Sequence, residues 1–316
     1  MNKFNIYFIF YFFNLLFLSE HNKKNWYHIF SILSENRYPE VLKQWYYEKK
    51  KEPLNLNNPK TFCQKIQWLK IYDINPLKTI LADKFLVKKW VENKIGIEYI
   101  IPTIGVWDKF EDIDINLLPE KFVLKCNHGS GMNLIVTNKK KINFFKAKQK
   151  FNKWMNTNFA FINGLELEYK NISRKIIAEE YIENYNNDIY DYKLWCYNGE
   201  CEYIMVLSDR KKKLKMTFYD KNWKILPYHY MKKHKKPFKK PKNLKKLLNL
   251  GEILSKGFKF VRVDFYILNN DTIKFGEMTF HPYSGIQKWE SKMTDEIMGE
   301  KIKINKNKKY EELEEL

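Results

Sequence analysis

Cysteine is scarce: the 316 residues contain four, Cys63, Cys126, Cys196 and Cys201. None forms a C-x-x-C pair and no His stands at zinc-ligand spacing from them, which argues against a structural zinc. Four cysteines in so long a chain staple little, so a disulfide framework is not expected and a reducing compartment fits best. Glycine and proline number 11 and 10, with no G-x-G-x-x-G and no G-K-[ST] opening a helix, so neither a dinucleotide-binding turn nor a Walker A loop is present. No stretch reaches the ~20 apolar residues needed to span a bilayer. The nearest approach is Phe4 to Leu18, fifteen mostly apolar residues behind Met1-Asn2-Lys3. Phe17-Leu18-Ser19-Glu20 offers no A-x-A-like cleavage site. A membrane-touching or core-docked helix is expected there, ahead of an uncleaved anchor or a cleaved signal. Internal repeats and low-complexity linkers are also missing.

Apolar residues, by contrast, are plentiful: 44% of the chain is hydrophobic and 17% aromatic, enough for two or three structural units. Charged residues make up 30% and the mean hydropathy is −0.57, which excludes a membrane bundle. The net charge of +20 attracts polyanions such as nucleotides, nucleic acid, acidic saccharides or an anionic membrane face, without selecting among them. Lys, Asn and Ile are used heavily everywhere, so compositional bias explains the excess equally well.

Residues 22–95 read as helical, with Trp26, Ile29, Phe30 and Leu33, then Ile66, Leu69 and Ile71, at helical spacing. Asn58-Pro59 and Asn75-Pro76 are candidate helix starts, and Gly96 a stop for a long helix beginning near Pro76. From Pro119 short apolar runs take over. Strands are expected at 121–126, 134–137, 175–182, 258–268 and 272–280, and helices at 142–155 and 242–255. Asn198-Gly199 between alternating runs predicts a hairpin. Strands and helices mixed, with hairpins, indicate α+β rather than a doubly wound parallel sheet. The expected divisions are an apolar segment (1–20), a mainly helical region (21–118), a small lobe (119–183), a large lobe (184–300) and a charged tail (301–316).

Three stretches carry chemistry. In Val123 to Asn133 a strand delivers Lys125, then the chain turns through Asn127-His128-Gly129-Ser130-Gly131. Such glycines let backbone N–H groups approach phosphate oxygens, and the Lys adds a point charge. A plain hairpin turn also explains this segment taken alone. In Arg262-Val263-Asp264 and Glu277-Met278-Thr279, residues i and i+2 of a strand share a face. Paired across the turn at 269–271, all four polar side chains converge. Two carboxylates on adjacent strands suit Mg²⁺, which takes few protein carboxylates and completes its shell with phosphate and water. A plain ion pair from Arg262 to Asp264 or Glu277 is the alternative. Ile176 to Glu183, with Asp191-Tyr192-Lys193 beyond, is an extended segment that can offer backbone groups to a base and a side chain to ribose, although taken alone it reads as an ordinary sheet strand.

Together these stretches resemble the ATP-grasp superfamily, and within it the teichuronopeptide-biosynthesis (TupA-like) branch. Asn58-Pro59-Lys60-Thr61-Phe62, Lys65 to Leu69, Ala82-Asp83-Lys84, Ile101-Pro102 and Gly105 to Asp108 are similar to that branch's N-terminal signature. Asn127 to Gly131 and Gly276 to Phe280 continue it, over roughly residues 45–300. The resemblance implies an ATP-grasp fold: two α/β lobes around a nucleotide cleft, preceded by a mainly helical region. It implies that Lys125 and Lys193 contact ATP phosphates, that His128, Gly129, Ser130 and Gly131 close over them, and that Glu179, Glu180 and Ile182 lie at the adenine hinge. Asp264, Glu277 and Thr279 would hold Mg²⁺, with Arg262 and Lys193 at the reacting phosphoryl. Where many members read Glu-x-Asn, this chain has Thr279, which offers only a hydroxyl and weighs against a second metal ion. The implied activity is ATP-dependent ligation of a carboxylate to an amine through an acyl phosphate, in cell-surface polysaccharide biosynthesis. The implied setting is cytoplasmic, or peripheral at the inner face of a membrane.

Other motifs suggest rivals. Asp112-Ile113-Asp114 is a D-x-D, as glycosyltransferases use for nucleotide sugars, although its neighbours read as a solvated loop. Lys232 to Lys236 and Lys239 to Lys242 form a basic run around Phe238, suited to nucleic acid, an acidic saccharide or an anionic membrane. No RRM, KH or helix-turn-helix signature accompanies it, and a solvated loop is expected. His281 either touches substrate or is structural. The tail from Asn305 reads as frayed.

Overall fold

The computed structural model of the chain describes residues 25–182, 190–208, 214–234 and 237–304. The apolar segment at 4–18, the tail from Asn305, the 183–184 lobe boundary and Lys235-Lys236 all lie outside the described residues. Five helices open the described chain: α1 (Trp26–Ile32), α2 (Tyr38–Lys50), α3 (Phe62–Tyr72), α4 (Pro76–Ala82) and α5 (Leu86–Ile95). Asn75 caps α4 by accepting from the Leu77 amide at 2.8 Å, with Pro76 in the first turn where its missing N–H costs nothing. Asn58-Pro59 starts no helix. Thr61 does, its hydroxyl accepting from the Gln64 amide at 3.2 Å. The long helix expected from Pro76 to Gly96 is two. The chain breaks at Asp83, whose carboxylate accepts from the amides of Phe85 (2.8 Å) and Leu86 (3.2 Å) and so caps α5. Gly96, at φ +111°, does end α5.

Two antiparallel sheets follow. The first has the order β1-β4-β2-β3, from β1 (Thr103–Trp107), β2 (Phe122–Cys126), β3 (Asn133–Val136) and β4 (Ile176–Glu180), with α6 (Phe144–Met155) between β3 and β4. β1 falls within the region expected to be mainly helical, yet it belongs to the sheet of the lobe expected to begin at 119. It pairs with β4, Val106 opposite Ile177.

The second sheet has the order β10-β9-β5-β6-β7-β8. Its strands are β5 (Asp191–Tyr197), β6 (Glu200–Ser208), β7 (Lys215–Asp220), β8 (Ile225–Leu226), β9 (Phe260–Ile267) and β10 (Ile273–Thr279). β5 and β6 turn through Asn198 (φ +52°) and Gly199 (φ +86°), both in the left-handed region a tight hairpin requires. α7 (Leu244–Ser255) precedes β9, and α8 (Lys292–Glu300) closes the described chain.

The core has two parts. One runs from α1, α2 and α3 through the first sheet to one face of the second, where Phe62 of α3 packs with ring centroids 5.2 Å from Trp195 and 5.1 Å from Phe260. The other lies between the opposite face of the second sheet and helices α5 and α7, joining Leu194, Val261 and Val263 to Val91, Leu247 and Leu254. β9 therefore sends alternate side chains to two different interiors, as the period of a strand demands. Arg262 and Asp264 share the face of Phe260. The mixed architecture is the α+β fold that the alternation of helical and strand patterns predicts.

Candidate active site between the two sheets

The site begins with register. Lys193 of β5 lies opposite Asp264 of β9, and Asp264 opposite Glu277 of β10, so three charged residues form a row across three strands. The next row holds Trp195, Arg262 and Thr279. By the strand period Phe275 and Glu277 would share a face, yet Phe275 belongs to the apolar core and Glu277 to this row. A β-bulge between them resolves the conflict. Gly276 occupies it, and a Cβ there would lie 3.1 Å from the Asp264 carbonyl oxygen.

Within the row the charges are paired. Arg262 Nε donates to Asp264 Oδ1 and its Nη2 to Asp264 Oδ2, both at 2.7 Å. Nη2 also reaches Thr279 Oγ1 at 3.0 Å and Glu277 Oε1 at 3.2 Å. Lys193 donates to Asp264 Oδ2 and lies 3.8 Å from Asp191. Burial, then the neighbouring Arg262, lowers the Lys193 pKa. Arg262, Asp264, Glu277 and Thr279 thus converge as the strand parity predicts, and the ion pair weighed as an alternative is present.

The first sheet brings the second group of cations. Lys125 of β2 and Lys88 of α5 both bind Glu179 of β4, Lys88 at 2.8 Å. Burial would raise the Glu179 carboxyl, but Lys125 and then Lys88 hold it below its ordinary value. Lys88 also donates to the Ile101 carbonyl (2.8 Å) and Thr103 Oγ1 (2.6 Å). Lys84, at the α4–α5 break, joins the sheets: its ammonium donates to the Gly129 carbonyl at 2.8 Å and lies 3.5 Å from Glu277 Oε2. Its amide donates to the Asn127 carbonyl at 3.1 Å. Asn127 is buried and donates to Asp83 at 2.8 Å, so the break in the helix docks on the end of β2. Glu277 records the convergence. Burial would raise its carboxyl, but Lys84, Lys193, Arg262 and Lys125 together bring it down to about 2.

The loop after β2 divides in two. Ser130 and Gly131 are exposed, and Gly131 takes φ +74° with open space around it. His128 is instead buried, with Nε2 3.1 Å from the Trp154 carbonyl at the end of α6. It anchors the loop rather than lining it. Nor does Glu179 stand free at a hinge, because two lysines engage it. Glu180 is exposed and its amide donates to the Pro102 carbonyl at 3.1 Å. Ile182 is half-buried at the end of the described segment. Neither belongs to the charged cluster.

A cavity of about 350 Å³ adjoins the cluster, lined by Arg262, Glu277 and Thr279 together with Glu166, Tyr169 and His281. His281 is buried, its Nδ1 2.8 Å from Glu168 Oε1. Lys84, Lys88 and Glu166 are residues that sequence reasoning missed. Only Lys84 carried a signal, in Ala82-Asp83-Lys84.

The rival motifs fare differently. Asp114 accepts from the Asn116 amide at 2.9 Å, capping a short 3₁₀ turn, and Asp112 is exposed. Phe238 does not sit in a solvated loop. It is buried, its amide donates to Tyr219 Oη at 2.8 Å, and its ring lies 4.6 Å from that of His234. The lysines flanking it at 232, 233, 239 and 240 are exposed.

No curated protein matches the chain. Among solved structures it is similar to N5-carboxyaminoimidazole synthetase from Staphylococcus aureus complexed with ADP (14% identity over 72% of this chain and 53% of that one, TM-score 0.38). It is also similar to the D-alanine-D-alanine ligase from Coxiella burnetii (11% identity, 76% and 64%, TM-score 0.40). The chain spans about half the length of the synthetase structures. Residues 64–303 match the TupA-like ATP-grasp family. That match takes in both sheets, Lys84, Lys125, Lys193, Arg262, Asp264 and Glu277, and with well over half of its length inside it, the chain belongs to the TupA-like ATP-grasp family.

Proposed function

We propose that the chain is an ATP-dependent ligase that activates a carboxylate as an acyl phosphate for attack by an amine. The observation that carries this is the meeting of cations from both sheets at Glu277. Lys125 comes from the first sheet, Lys193 and Arg262 from the second, and Lys84 from the helical region. Phosphoryl transfer asks a protein mainly for positioning and charge neutralisation. Lys125, Lys193 and Lys84 would meet the phosphate chain, the exposed amides of Ser130 and Gly131 would cover it, and Arg262 would face the transferring phosphoryl. Glu180 and Ile182, leading out of β4, would flank the base.

Asp264 and Glu277 suit Mg²⁺ as hard oxygen donors side by side on β9 and β10. Among the described residues no group of three or more His, Cys, Asp or Glu side chains is arranged to hold a metal. Two carboxylates, with nucleotide oxygens and water, would therefore form the site, and Thr279 could add a hydroxyl at most. Bound there, Mg²⁺ would neutralise phosphate charge and orient the chain of oxygens. Arg262 and Lys193 hold both carboxylates in place without it.

Family membership supports a uronic acid or amino acid as the carboxylate and a setting in cell-surface polysaccharide assembly, at the cytoplasmic side of a membrane. Among the described residues no helix is long and apolar enough to cross one.

The test is calorimetric titration of ATP with and without Mg²⁺ into the purified chain, its Asp264→Asn variant and its Glu277→Gln variant. The parent should bind only with Mg²⁺, and both variants should bind at least about tenfold more weakly, the loss of one charge-assisted contact of ~1.5–3 kcal/mol. A folded parent that binds no ATP would end this reading. Phosphate release with panels of uronic and amino acids, using hydroxylamine as trap, would then name the carboxylate.

A further inference from the structure

We propose that the cavity beside Arg262 and Glu277 receives the amine substrate as a primary ammonium ion, with Glu166 as its counter-ion and the acceptor of its proton. This rests on the ligase reading above and names the group that meets the nucleophile.

Glu166 is only 7% exposed and lines the cavity. The other carboxylates at the site each have a cation: Asp264 has Arg262 and Lys193, Glu277 has Arg262 and Lys84, Glu179 has Lys88 and Lys125. Among the described residues no cation lies within 4.0 Å of Glu166. The buried ammonium near it is Lys70, and its donors are committed elsewhere, to the Gly164 carbonyl (2.7 Å), the Ser284 carbonyl (2.9 Å) and Ser284 Oγ (2.6 Å). An ammonium has three N–H donors, so none remains for Glu166. A buried carboxylate with no cation in contact is costly to ionise, and burial pushes Glu166 up to about 8 although Lys70 and the Ser284 side chain draw it back. Its want of a cation is met by a ligand that carries one. A cavity of about 350 Å³ is of the size small-molecule sites have.

The same surroundings assign the two substrates. An ammonium that docks on Glu166 holds it ionised, and the carboxylate substrate is then left to Arg262, the guanidinium that lines the same cavity. In the reaction R–NH₃⁺ gives one proton to the Glu166 carboxylate. The freed nitrogen lone pair forms the C–N bond at the acyl carbon as the C–O bond to phosphate breaks. The departing phosphate keeps that electron pair and takes the nitrogen's second proton, leaving an amide.

The experiment is ligand-observed NMR on the full chain with two probes of one size, ethylammonium and ethanol. It is repeated on Glu166→Gln, with MgATP affinity measured in parallel. The parent should bind ethylammonium and not ethanol, and Glu166→Gln should weaken ethylammonium at least tenfold while its MgATP affinity stays unchanged. Equal binding of the two probes by the parent, or equal binding of ethylammonium by parent and variant, overturns the proposal. The parent comparison decides even if the variant does not fold. The MgATP titration fails separately if the nucleotide reading is the one at fault.

Discussion

At the scale of single residues the site is a set of exchanges waiting for an anion. Glu277 shows this best, because four cations act on one carboxylate whose pKa burial alone would raise. Its folded value of about 2 lies below the ordinary 4.5, so its contribution to stability is full above pH 4.5 and is lost as the pH falls toward 2. Urea unfolding followed across that window should show the parent losing more stability than Glu277→Gln, which has no carboxyl there to protonate. Parallel curves would mean the cations do not act on Glu277. Some of this was legible in advance. Arg262, Asp264, Glu277 and Thr279 could be placed together because a strand has a period of two and their neighbours are apolar. Glu166 could not, since it stands between short 3₁₀ turns where no periodicity marks a face. Lys88 could not either: one lysine among the 57 Lys and Arg of the chain carries no mark until the fold sets it beside Glu179.

At the scale of elements, two departures from regularity build the site. The bulge at Gly276 lets Phe275 enter the core while Glu277 enters the cleft. The break at Asp83 turns one expected helix into two and aims Lys84 at the junction of the sheets. Neither was legible from pattern. Pro76 to Ile95 keeps helical spacing straight through the break, which exists because the Asp83 carboxylate finds two amides and Asn127 in the folded molecule. β1 was missed for a related reason: all five of its residues are half-buried, so it shows no alternation. Asp83→Ala removes a cap and takes one partner from the buried Asn127 amide, at a cost of about 1–2 kcal/mol. The expected result is a lower urea midpoint together with weaker MgATP binding. Lys84→Met, by comparison, should weaken binding and leave the midpoint nearly in place. If Asp83→Ala matched the parent in both, the break would be incidental.

At the scale of the whole molecule, the helical region and the two sheets meet in one of the two parts of the core. Phe62 of α3 touches Trp195 and Phe260 across it, and its truncation to Ala should cost about 3–5 kcal/mol, measurable as a loss of melting temperature. The broad plan, α+β with the helices first, was readable from composition and the change of pattern near Pro119. The dependence of one part on another was not, because it resides in contacts between residues far apart in the chain. That dependence has a practical side. A fragment beginning at residue 119 would keep every glycine, carboxylate and strand of the nucleotide motifs, and a search for those motifs would judge it complete. It would nonetheless lack Lys84, Lys88, β1, which is one of the two strands paired with β4, and the ring that closes the interior over Trp195. Such a fragment should fail to bind nucleotide, and its silence would say nothing about the intact chain.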